Sequence, residues 1–181
     1  MMKSKSSFFA LLVVLFLVSC KGDNPQKTEE TPKEEAKKIG FLVTLNAVVP
    51  KNDNFELSYR ETEQMPYEEA TIVSTAVTGS PEPQNIVFGV NEGDIPNFIR
   101  LDYGINKEQG EILIKSLKIE YKGKQFMMNG KEFFNYIMIN PTNLKANLEK
   151  VSLTPFVSAD GGYDPMSYSE KPLYEEIQKL L

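Results

Sequence analysis

Among the side chains that carry most enzymatic chemistry, this chain of 181 residues holds one cysteine, Cys20, and no histidine. A Ser-His-Asp or Cys-His nucleophile is therefore excluded, and no imidazole is present to ligate zinc or haem. One Cys also rules out an internal disulfide or a CxxC pair. Carboxylates, Lys, Tyr and Ser remain. Paired carboxylates hydrolyse glycosides when set about 5 Å or about 6.5–9.5 Å apart across a cleft. The acids here fall mostly at outward strand positions (Glu56, Glu111, Glu120) or in turns, the pattern of a solvated face. The chain reads as non-catalytic, with a carboxylate-based glycosidase as the enzymatic alternative.

The segment richest in ligand chemistry is Ser158-Ala159-Asp160-Gly161-Gly162-Tyr163-Asp164-Pro165. Its glycines let the backbone turn at positive φ, and a carboxylate stands on each side of Tyr163. An aromatic ring lying on the C–H face of a sugar, with Asp160 and Asp164 accepting hydroxyls, is carbohydrate-site vocabulary. The same two carboxylates with loop carbonyls form an oxygen set of the kind calcium takes; otherwise no cofactor and no protein metal site is indicated. The plain alternative is a turn whose Tyr packs on the domain and whose Asp residues cap it. Arg100 and Asp102 stand two apart on one strand and so share a face. The Phe126-Met127-Met128 and Phe133-Phe134 groups read as core filling.

Lys3 and Lys5 precede an unbroken apolar run, Phe8 to Val18, of 11 residues. A membrane span needs about 20, so this length suits a signal segment. The run ends in Leu17-Val18-Ser19-Cys20, which resembles the lipobox of bacterial lipoproteins, Bacteroidota-like ones among them. That resemblance implies removal of residues 1–19 and acylation at Cys20. Two or more acyl chains anchor a protein stably where one is marginal. Lys21 follows the Cys in place of an Asp that would resemble an inner-membrane retention signal. The expected address is the cell envelope at the outer membrane, with the periplasmic and surface faces both open.

Lys21 to Lys38 holds five Lys, five acids and two prolines in 18 residues. It lacks the apolar area to offset ordering entropy, so residues 20–38 are expected to form the acylated Cys and a disordered tether. A chain of that length spans about 25 Å end to end. Residues 39–181 then form one domain with 13 basic and 20 acidic residues, net charge −7. That balance excludes nucleic acid as the main partner.

Within the domain the apolar period is two: Phe41-Val43-Leu45-Ala47, Phe55-Leu57-Tyr59, Ile86-Phe88-Val90 and Ile99-Leu101-Tyr103, with a β-branched run at Thr71–Thr78. In Glu111–Tyr121 the phase slips from Ile112 and Ile114 to Leu117, Ile119 and Tyr121, predicting a β-bulge near Lys115-Ser116. Turns are expected at Lys51–Asn54, Gly79–Pro81, Asn91–Asp94 and Lys122-Gly123. Asn129 and Glu132 have capping-box spacing and open a short helix. Pro172–Leu181 places Leu173, Ile177 and Leu180 or Leu181 on one face of a C-terminal helix. The fold class is mainly β: an antiparallel β-sandwich with a short internal helix and a C-terminal helix.

The order and texture of Phe55–Arg60, Gly79–Gln84, Arg100–Gly104 and Ile114–Ile119 resemble a galactose-binding-like jelly-roll module over about residues 40 to 157. The resemblance implies a jelly-roll sandwich and a sugar-binding role, with Tyr as the platform because the chain has no Trp. The expectation is a lipid-anchored, non-catalytic module for envelope or environmental carbohydrate. The rival is a structural or assembly lipoprotein that docks an envelope protein through a sheet edge or the C-terminal helix.

Overall fold

The computed structural model describes residues 38–181; Cys20, the signal segment and all of the tether but Lys38 lie outside the described residues. Eleven strands and one α-helix follow in chain order: β1 Ile39–Val48, β2 Asp53–Arg60, β3 Thr71–Val77, β4 Gln84–Asn91, β5 Phe98–Asp102, β6 Ile112–Tyr121, β7 Lys124–Asn129, β8 Ile137–Ile139, β9 Leu144–Asn147, β10 Ser152–Pro155, β11 Met166–Ser169 and α1 Lys171–Leu180. All pairings are antiparallel.

Two sheets result. One runs β4-β1-β6-β10-β9, with β7 also paired to β6; the other runs β3-β2-β5-β11-β8. Alternation dictates what each strand buries. Phe41, Val43 and Leu45 of β1, Ile86 and Phe88 of β4, and Ile112, Leu117 and Ile119 of β6 face Phe55 and Leu57 of β2 and Ile99 and Leu101 of β5 across an apolar core. This is the expected sandwich.

The phase slip in β6 is a bulge. Asn46 faces Ser116 while Ala47 faces Ile114, leaving the exposed Lys115 without a partner on β1. The extra residue keeps Ile112 and Ile114 on the same side as Leu117 and Ile119. The β6–β7 hairpin turns on Lys122 (φ 46°) and Gly123 (φ 83°), the two positive φ values that a type I′ turn requires.

The internal helix is a 3₁₀ segment, Gly130–Asn135, with the Glu132 carboxylate accepting from the Asn129 N–H at 3.0 Å. In α1 the buried residues are Leu173, Ile177 and Leu180, while Leu181 is exposed. The helix begins at Lys171, so Glu175 and Glu176 fall beyond the first turn. Ten residues are marginal as an isolated helix, and α1 is held by packing on β6 and β7.

Candidate functional site

Tyr163, singled out by its loop, belongs to a structural corner. Its hydroxyl donates to the Asn106 carbonyl at 2.7 Å, and burial followed by the nearby Asp53 charge pushes it up to about 12. The Asn106 segment is itself organised by Asp53, whose Oδ1 accepts from the Ile105 N–H at 2.9 Å and whose Oδ2 accepts from Gln109 Nε2 at 3.0 Å. Gly104 sits at φ 92°, and a Cβ there would lie 2.1 Å from the Asp53 carboxyl carbon, so only glycine fits this approach. Asp160 turns inward on its own loop, accepting from Ser158 Oγ at 2.5 Å and the Gly162 N–H at 3.1 Å, and these bonds lower its pKa. Asp164 is exposed and adds negative charge near Asp102. Asp160 and Tyr163 thus point their polar atoms at protein partners. Among the described residues no group of three or more Asp, Glu, His or Cys is placed to hold a metal ion.

The concave surface lies on the outer face of the five-stranded sheet. Leu57, Ile99 and Leu101 point into the core, so Ser58, Arg60, Phe98, Arg100 and Asp102 must point out. Register aligns them: Arg60 faces Phe98, while Met138, Tyr168, Arg100 and Ser58 form one transverse row. The β2–β3 connection, 61–70, brings Tyr67 over this row in a 3₁₀ turn, Tyr67–Glu69. Its ring lies 4.3 Å from the Arg60 guanidinium carbon, 5.6 Å from that of Arg100 and 5.5 Å from the Tyr168 ring. From α1, Tyr174 stacks on Phe98 at 5.6 Å with the rings 16° from parallel.

These elements enclose a cleft of about 850 Å³, walled by Tyr67, Phe98, Tyr168 and Tyr174, with Arg60 in its lining. Glu61, Glu63, Glu170 and Lys171 stand on its exposed rim. The size is in the range of small-molecule sites.

The two arginines are treated differently. Arg100 Nε donates to Asp102 Oδ2 at 3.0 Å in a largely buried pair. Burial pushes Asp102 up to about 6 against the pull of Arg100. Arg60 has no carboxylate within ion-pair distance among the described residues. Its Nη1 donates to the Met65 carbonyl, and its Nε is enclosed with no acceptor, as is Ser58 Oγ. An unmade bond of this kind costs roughly 1–3 kcal/mol. Stacking offsets part of that: guanidinium over an aromatic face is worth about 0.5–2 kcal/mol.

Sequence reasoning placed Arg100 and Asp102 on one face, which the ion pair shows. It missed Tyr67, Phe98, Tyr168 and Tyr174. The available signal was the residue type at outward positions: Arg60, Phe98 and Arg100 are bulky for a face that water alone would cover. No protein-family model matches the chain, and neither a curated protein nor a solved structure matches it.

Proposed function

We propose that the chain is a non-catalytic carbohydrate-binding lipoprotein, acylated at Cys20, tethered by Lys21–Lys38 and binding its ligand in the Tyr67–Tyr174 cleft. The supporting observation is the cleft itself: four aromatic rings around about 850 Å³, with hydrogen-bonding side chains at the rim. Ring faces carry partial negative charge and suit the polarised C–H face of a sugar. Glu61, Glu63 and Glu170 supply acceptors for hydroxyls, and Lys171 a donor. The resemblance to galactose-binding-like modules points to the same ligand class, with the site moved from the Tyr163 loop to the opposite end of β2.

Isothermal titration of the full-length chain against a panel of neutral and acidic oligosaccharides tests this. Tyr67→Ala, which removes the ring covering the sheet, is expected to weaken binding at least tenfold, while Tyr163→Phe leaves affinity within about twofold. No binding to any member of the panel overturns the proposal. Retained affinity in Tyr67→Ala with loss in Tyr163→Phe would return the site to the Ser158–Pro165 loop.

A further inference from the structure

We infer that the saccharide this cleft accepts carries a carboxylate, which Arg60 receives; the inference rests on the carbohydrate reading above. Arg60 is the last residue of β2 and the cation set into the aromatic wall. Three contacts fix its plane: the Met65 carbonyl on Nη1, the Tyr67 ring at 4.3 Å and the Phe98 ring at 5.5 Å. Arg60 lines the cleft, and no carboxylate among the described residues lies within ion-pair distance of its guanidinium. A guanidinium held rigid by stacking, without a counter-charge from the described residues, is preorganised for an oxyanion.

The neighbouring Arg100 shows the alternative. Its charge is already met by Asp102 on the same strand, and Tyr67 lies over it. The fold neutralises one of two arginines on this face and leaves the other for a ligand.

The rim narrows the class further. Glu61, Glu63 and Glu170 oppose a ligand with many negative charges, and the domain as a whole carries −7. Those same carboxylates accept from neutral hydroxyls. The ligand that satisfies both is a polyhydroxylated ring with one carboxylate directed at Arg60, which is the chemistry of a hexuronic acid residue. Sulfated or phosphorylated polymers place several charges where the glutamates stand and are disfavoured.

The test uses pairs that differ in this charge alone. Short oligogalacturonates, oligoglucuronates and oligomannuronates, each beside its methyl ester, are titrated into the full-length chain, with neutral oligosaccharides as a third arm. The acid form of at least one pair is expected to bind at least tenfold tighter than its ester. Arg60→Gln is expected to abolish that difference, so that acid and ester bind the variant with equal affinity. Equal affinity for acid and ester, or a preference for neutral sugars, overturns the carboxylate assignment and leaves the carbohydrate reading standing. Binding in none of the three arms overturns both. The acid–ester comparison is made on the unaltered chain, so it does not depend on how the variant folds.

Discussion

Asp102 illustrates how one outward strand position ties stability to pH. Burial is the largest influence on its carboxyl; Arg100 opposes it, and the Asp164 and Glu56 charges add to it, for a result of about 6 against an ordinary 3.8. Between these values the folded protein holds a proton that the unfolded chain has released. The stability this group contributes is therefore complete below about 3.8 and lost as pH rises through about 6. A displacement of that size corresponds to roughly 2–3 kcal/mol. Glu111, held low by the Ser152 hydroxyl, and Asp160, held low by the Ser158 hydroxyl, act with the opposite sign in more acidic solution. A single-site comparison cancels both. Asp102→Asn keeps an oxygen for Arg100 Nε but cannot ionise. Urea unfolding of the two proteins from about pH 4 to pH 7.5 is expected to show the unaltered chain losing roughly 1–3 kcal/mol relative to the variant. A constant difference across that range would show that Asp102 ionises in the folded protein as it does in the open chain.

At the scale of elements, the helix α1 joins the core to the cleft. Leu173, Ile177 and Leu180 are buried, while Tyr174 on another side stacks on Phe98 and Gln178 Nε2 donates to Asn97 Oδ1 at 2.6 Å. Ile177 is fully enclosed, and truncating such a side chain removes transfer energy and leaves a cavity. Ile177→Ala is expected to cost about 2–4 kcal/mol in urea unfolding; a loss under about 1 kcal/mol would mean that the helix docks without relying on this residue. The buried face of α1 was legible because period and an early proline are local properties of sequence. So was the Lys115 bulge, since a phase slip shows in the order of apolar residues. The cleft was not. Its walls come from β2, β5, β11, the 61–70 connection and α1, and their meeting depends on the strand order β3-β2-β5-β11-β8, which alternation does not encode. Tyr67 is the extreme case: it sits in a connection with no period, and only folding back over β2 puts its ring in the cleft wall. The Ser158–Pro165 loop left two readings open for the reciprocal reason. Gly, Asp and Tyr are shared by sugar sites and by well-capped turns, and Asn106 takes the hydroxyl a ligand would need.

For the molecule as a whole, the cleft and the start of the described chain lie at one end of the sandwich. β1 enters at Ile39, paired with Asn91 at the end of β4, and the Glu92 N–H donates to the Lys38 carbonyl. Arg60 ends β2 and Phe98 begins β5 at that same end, where Glu61 accepts from the Ile95 N–H. Among the described residues the lining of the cleft comes from residues 60 to 174, so anchoring and recognition are separable on this reading. Cys20→Ala should leave the membrane fraction, or persist as an unprocessed precursor of higher mass, while the extracted protein keeps the oligosaccharide affinity of the unaltered chain. Unchanged mass and unchanged fractionation would refute acylation at Cys20. Release accompanied by loss of affinity would show instead that the lipid-bearing segment takes part in binding.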